Sequence, residues 1–138
     1  MTLVDTNIVL DIFGHDAVWF DWSLTKLADA GGDEPANVDP LVVAELSRDF
    51  GDYVSLRSAL SKLGLIIIPL DDESAFVAGK RFHQFRRDRG ANEGARVLPD
   101  FLIGAHAFVL GVPLLTRDPR LYRRYFPELI LITPETHP

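Results

Sequence analysis

A chain of 138 residues suits one domain with one hydrophobic core, and 47% hydrophobic with 25% charged residues is the make-up of a soluble globular protein. The absence of cysteine excludes disulfides, thiolate zinc sites and thiol nucleophiles, and it fits a cytoplasmic location. The net charge of −6 conceals a division: residues 1–79 hold 4 basic and 14 acidic side chains, residues 80–124 hold 10 basic and 4 acidic, and the rest adds −2. The acidic average argues against nucleic acid as a partner, whereas the basic block keeps it open. Eleven of the 14 basic residues are Arg, whose planar fork suits phosphate or carboxylate. No apolar run approaches the roughly 20 residues of a membrane span. The start MTLVDTN lacks the basic region and cleavage site of a signal peptide, so no membrane association is expected.

Met1-Thr2-Leu3-Val4 reads as a buried strand with Asp5 at its carboxyl end, and Thr6 and Asn7 are good residues for opening a helix. Ile8, Val9, Ile12 and Phe13 form that helix's apolar stripe, and Gly14 ends it. Asp16 is placed to cap a second helix running to about Ala30, with Trp19, Phe20, Leu24 and Leu27 at helical spacing. Gly31-Gly32-Asp33-Glu34-Pro35 breaks the chain before a brief strand at 36–39. Asp39 caps a helix opened by Pro40 and containing Leu41, Val42, Ala44, Glu45 and Leu46. A further helix spans 53–63. Leu65-Ile66-Ile67-Ile68 is the strongest strand, and its continuous β-branched run predicts burial on both faces. Asp71-Asp72-Glu73-Ser74 starts a helix to Arg89, with Ala75, Phe76, Gly79 and Phe82 as the expected buried stripe. Acids in its first turn and arginines in its last complement the helix dipole. A polar loop at 90–97 leads to a helix from Pro99-Asp100 to Leu110, closed by Gly111. A strand at 113–116, a short basic helix at 121–126 and a last strand at 129–132 complete the chain. This alternation predicts a single domain over 1–138: an α/β three-layer sandwich with a four- or five-stranded parallel sheet flanked by helices.

Four acids sit where apolar packing does not explain them. Asp5 ends the first strand, Asp118 lies just beyond the strand at 113–116, Asp100 is in the first turn of a helix, and Glu45 interrupts Leu41-Val42-Val43-Ala44-Glu45-Leu46. Read singly, each has an ordinary use as a cap, a first-turn acid, a turn former or a solvent-facing charge. Their separations of 40, 55 and 18 residues do not by themselves bring them together. In a parallel sheet, however, strand ends and helix starts share one edge, where ligands bind. Clustered carboxylates repel and require a proton or a cation, and hard oxygen donors suit Mg²⁺ or Mn²⁺. Asp11, Asp39 and 71–73 fit capping and surface roles.

These residues resemble the motifs of PIN-domain ribonucleases, in the family's order. Val4-Asp5-Thr6-Asn7 resembles the first motif, Val43-Ala44-Glu45-Leu46 the second, Pro99 to Ala107 the third, and Leu115-Thr116-Arg117-Asp118 the fourth. The small size is similar to that of VapC-type toxins. The resemblance implies a Mg²⁺- or Mn²⁺-dependent endoribonuclease, the toxin of a toxin–antitoxin pair. It also implies a homodimer neutralised by a VapB-type antitoxin. By it, Asp5, Glu45, Asp100 and Asp118 are the catalytic acids, with Asp5, Asp100 and Asp118 on the metal and Glu45 either a ligand or a proton carrier. Thr6, Asn7 and Thr116 orient them. Phe101 stands where the family often has a smaller residue, which questions packing rather than chemistry. His106 falls about 240° around its helix from Asp100 and is expected to pack or face solvent.

Arg117 is the best single candidate for RNA phosphate. Lys80, Arg81, Arg86, Arg87 and Arg89 on one helix, with Arg96, Arg120, Arg123 and Arg124, form a wider basic surface. Trp19, Phe20 and Trp22 would stack on bases, line an antitoxin groove or pack in the core. Two other functions compete. A Mg²⁺-dependent phosphatase of the haloacid dehalogenase type needs a second acid two residues after the first, where this chain has Asn7. A catalytically idle PIN-like module that only binds RNA or a partner would be marked by loss of an acid, and none is lost. A phosphoacceptor receiver-like domain wants a late Lys, and none follows Lys80.

Overall fold

The computed structural model describes residues 1–89 and 97–138. The polar loop expected at 90–97, with Arg96, lies outside them except for Val97. The elements in chain order are β1 (Leu3–Val4), α1 (Thr6–Phe13), α2 (Phe20–Ala30), β2 (Asn37–Val38), α3 (Pro40–Leu46), a 3₁₀ turn (Ser47–Asp49) and α4 (Tyr53–Lys62). They continue with β3 (Ile66–Ile67), α5 (Asp72–Arg89), α6 (Leu98–Leu110), β4 (Leu114–Leu115), α7 (Arg120–Tyr125) and β5 (Leu131–Ile132). The five strands are all parallel, in the order β3-β2-β1-β4-β5. The connections from β1 and β2 run one way along this sheet, and that from β4 runs the other way. Right-handed crossovers therefore place α1–α4 on one face and α5–α7 on the other. The direction of winding reverses between β1 and β4, whose adjacent carboxyl ends leave a crevice. Their pairing is set by the N–H of Leu3 on the carbonyl of Pro113, at 3.0 Å, and of Asp5 on that of Leu115, at 2.9 Å.

Most helix boundaries follow local chemistry. Asp39 accepts the N–H groups of Leu41 and Val42 and so caps α3, with Pro40 in its first turn. Gly111 ends α6 at φ +69°, a left-handed conformation that glycine adopts without strain. The first helix is capped one residue earlier than expected, by Asp5 instead of Thr6 or Asn7. Asp16 caps a turn before α2 through the N–H groups of Val18 and Trp19, and Leu24 of that helix faces solvent while Ser23 is buried. No helix among the described residues is long and apolar enough to cross a membrane.

Two packing expectations are overturned. The isoleucine run forms an edge strand, and Ile66 is 48% exposed. A β-branched run reports strand propensity, which an edge position satisfies as well as a central one. The central strand is β1, whose Leu3 and Val4 are buried. On α5 the buried residues are Ser74, Ala78 and Phe85, while Ala75 and Phe76 face solvent. The helix is thus turned by about one residue from the expected stripe, roughly 100°. Its small buried residues suit the close packing of α5 against α6.

The floor beneath the crevice is aromatic. Phe101, fully buried, lies 5.4–5.8 Å from the rings of Phe82, Phe85, Tyr125 and Phe126. The bulky residue at this position therefore has a full set of partners, mostly in tilted or edge-on geometry. Gly104, one turn on, makes room for Phe126: a Cβ there would meet that ring at 2.9 Å. Gly104→Ala is expected to lower stability by about 1–3 kcal/mol in urea unfolding, through overpacking. Intrinsic helix propensity alone predicts the opposite sign, a gain of about 1 kcal/mol.

Candidate active site

The crevice between β1 and β4 collects polar residues because chain leaves both strands there. Asp5 follows β1 directly. Its Oδ1 accepts the Thr6 N–H at 2.8 Å, which makes it the N-cap of α1. Its Oδ2 accepts three side-chain donors: Thr116 Oγ1 at 2.8 Å, Tyr122 OH at 3.0 Å and Asn7 Nδ2 at 3.3 Å. The carboxylate is only 4% exposed. Thr6 faces the other way, and its hydroxyl donates to Glu45 Oε1 on α3 at 2.8 Å. Asn7 also donates to Thr116 Oγ1 and accepts the backbone N–H of Arg117 at 3.0 Å. Thr116 Oγ1 in turn accepts the N–H of Asp118 at 3.2 Å. Asn7 and Thr116 thus link the chain across the crevice, and Thr6 ties its near side to α3.

The four acids are close enough to influence one another's protonation. Burial pushes the Asp100 carboxyl up to about 7, and the charges of Asp5, Glu45 and Asp118 push in the same direction. Burial raises Asp5 to about 6 against the opposing hydrogen bonds from Thr116, Tyr122 and the Thr6 N–H, with Glu45 adding to the rise. The Tyr122 phenol is held protonated by burial and by the neighbouring carboxylates. Asp118 behaves differently. Arg120 forks onto both its oxygens at 2.9 Å and holds it below the ordinary range.

Asp5, Asn7, Asp100 and Asp118 line one side of a cavity of about 430 Å³. Phe85, Val97, Leu121, Tyr122 and Tyr125 form its apolar wall, and Arg89, Arg120 and Arg124 stand on its rim. Glu45 is exposed and reaches this group through Thr6. Among the described residues no three Asp, Glu or His groups are gathered into a ligand cage. The donor chemistry nevertheless fits a hard divalent cation. Mg²⁺ is commonly held by one or two carboxylates, with waters and substrate phosphates completing its shell.

The expected basic residues divide. Arg86 and Arg87 are exposed on α5, Arg87 bonding Gln84, while Arg89 reaches the cavity. Arg117 is not aimed at solvent phosphate. Its guanidinium forks onto Asp11 at 2.8 and 2.9 Å. Asp11, expected at the surface, is 2% exposed and also accepts the Ser23 hydroxyl. Position alone hinted at this, because Asp11 lies one helical turn from Asn7 within the buried stripe of α1. Tyr122 gave no sequence signal beyond lying four residues after Asp118 on a helix read for its charges. His106 is buried, and its Nδ1 lies 3.1 Å from Asp39 at the foot of α3. Phe20 stacks on His15, and Trp22 donates to the His137 carbonyl.

The PIN domain family matches residues 2–127 of this chain. Solved structures share its fold. VapBC2 from Rickettsia felis, bound to a promoter DNA fragment, has a chain 24% identical at a TM-score of 0.68, with 96% of this chain and 97% of that one covered. FitAcB from Neisseria gonorrhoeae gives 18% identity and a TM-score of 0.68, covering 98% and 99%. A toxin–antitoxin complex from Klebsiella pneumoniae gives 22% and 0.57, covering 88% and 90%. At such identities the likeness is one of fold. No curated protein matches in sequence.

The raised Asp100 carboxyl has a consequence for stability. Its folded value of about 7 exceeds the ordinary 3.8, so the folded state binds the proton more tightly than the unfolded state. The contribution is fully present below about pH 4 and is lost as pH rises through 7. Asp100→Asn is therefore expected to be more stable than the parent at pH 8, by up to about 4 kcal/mol, the gain shrinking toward pH 4. Thermal melting in chelator at the two pH values checks this; a gain independent of pH would overturn it.

Proposed function

The chain belongs to the PIN domain family, and we propose that it acts as one domain, a divalent-metal-dependent endoribonuclease and the toxin of a toxin–antitoxin pair. The observation that carries this reading is that Asp5, Asp100 and Asp118, from three separate elements, line one cavity at the crevice between β1 and β4. Carboxylates brought this close, with Asp5 buried and Asp100 half-buried, are stabilised by a cation, and an idle binding module has no use for them. Asn7 supports the reading over a phosphatase, because it is spent on positioning Thr116 and Arg117.

Asp5 and Asp100, with Asp118, would hold Mg²⁺ or Mn²⁺, which when bound supplies Lewis-acid stabilisation of a phosphodiester and a lowered pKa for water. The chain's own groups do the rest. Tyr122, Thr116 and Asn7 all hold Oδ2 of Asp5, which leaves Oδ1, with one donor, as the freer oxygen. They fix that carboxylate's orientation in advance, so little reorganisation accompanies binding. Glu45 Oε1 is fixed by Thr6 and serves as a further ligand or as a proton carrier. Arg89, Arg120 and Arg124 on the rim place cations where RNA phosphates would approach, and Arg86 and Arg87 extend that track along α5. Arg120 is then shared between Asp118 and the substrate.

The toxin assignment draws on the fold's occurrence in toxin–antitoxin complexes. It carries with it a VapB-type antitoxin partner, a homodimer and a cytoplasmic site of action. Purified, metal-stripped protein incubated with structured RNA is expected to cut only after Mg²⁺ or Mn²⁺ is added. Asp5→Asn is expected to reduce the rate by about 100-fold or more. Cleavage in chelator, or equal cleavage by Asp5→Asn, would overturn the proposed site. Mn²⁺ is also expected to raise the melting temperature of the parent more than that of Asp100→Asn, since a ligand of the folded state stabilises it by mass action.

A further inference from the structure

Helix α1 grips the segment after β4 at two points. Asn7 and Asp11 stand one turn apart on the same helical face. Asn7 Oδ1 accepts the Arg117 backbone N–H at 3.0 Å. Asp11 takes the Arg117 side chain in a fork, Nε to Oδ2 at 2.8 Å and Nη2 to Oδ1 at 2.9 Å. The acid is locked in turn by Ser23 Oγ of α2 at 2.7 Å, and the Trp19 ring lies 5.7 Å from the guanidinium. This pair differs in kind from Arg120–Asp118, where both side chains are largely exposed. Arg117 sits between Thr116, which bonds Asp5, and Asp118.

A buried ion pair is a poor source of stability, since apolar residues of similar size often serve as well or better. What a fork on a buried acid does supply is fixed direction. We propose that the Asp11–Arg117 pair is a strap that places Asp118 opposite Asp5 and Asp100 for cation binding, making Asp11 and Arg117 positioning residues. This rests on the metal-dependent nuclease reading given above.

Mn²⁺ affinity, read by electron paramagnetic resonance on the full chain, tests the strap independently of turnover. Arg117→Lys and Asp11→Asn are each expected to weaken Mn²⁺ binding by about 10-fold, the usual scale for groups that orient metal ligands. Arg117→Lys, which keeps the charge, is expected to retain more affinity than Arg117→Ala. Leu56→Ala, a core truncation in α4 remote from the crevice, serves as the control: it is expected to lower the melting temperature without moving Mn²⁺ affinity. If the charge-changing variants do not fold, Ser23→Ala removes one donor from Asp11 and carries the same expectation of weakened binding. Mn²⁺ affinity unchanged in the folded variants, or lowered equally by Leu56→Ala, would overturn the strap while leaving the nuclease reading standing. A parent protein that neither binds Mn²⁺ nor cuts RNA would overturn both.

Discussion

The structure turns on one buried carboxylate. Asp5 lies at the end of the central strand, is 4% exposed, and accepts four hydrogen bonds from three separate parts of the chain. A charge in that position is expensive unless donors surround it. The donors come from α1, from the end of β4 and from α7, so satisfying the carboxylate requires those elements to meet. The same four bonds that make the site rigid also tie the carboxyl ends of β1 and β4 together where the winding of the sheet reverses.

Gathering acids at one point has a cost that the surrounding structure offsets only in part. Asp118 has Arg120 and Asp11 has Arg117, while Asp5 has only neutral side-chain donors. Burial and the charges of Asp5, Glu45 and Asp118 raise the Asp100 carboxyl to about 7, above the value of about 6 for Asp5. Arg89 of α5 and Arg120 and Arg124 of α7 border the crevice lined by Asp5, Asp100 and Asp118. Below, the aromatic cluster around Phe101 gives α5, α6 and α7 a common floor, so that Asp100, Arg89 and Tyr122 hold their places relative to one another.

Dual use of residues recurs. Asp5 is both the cap of α1 and one of the acids lining the crevice, so the ordinary use of a strand-end acid does not compete with its place in that group. Asp39 caps α3, the helix that carries Glu45, and pairs with His106 on α6, the helix that carries Asp100. Arg117 has the opposite history. Its place beside Asp118 made it the foremost candidate for contact with phosphate, but its fork is already occupied.

Local chemistry determined a great deal by itself. The strand–helix alternation, the caps at Asp39 and Gly111 and the parallel architecture follow from short-range rules that this chain obeys, as do the strand-end and helix-start positions of Asp5, Asp118 and Asp100. Tertiary structure alone decided what depends on distant partners. It made the isoleucine run an edge strand, because propensity is set within a segment whereas centrality is set by which strands flank it. It turned α5 by one residue, because the approach of α6 selected Ser74 and Ala78 over Phe76. It buried Asp11 and gave it Arg117, a partner 106 residues away. It brought Tyr122 onto Asp5 across 117 residues. Spacing constrains contacts within a turn of helix or a step of strand. Over a hundred residues only the assembled sheet, with its reversal between β1 and β4, brings such side chains face to face.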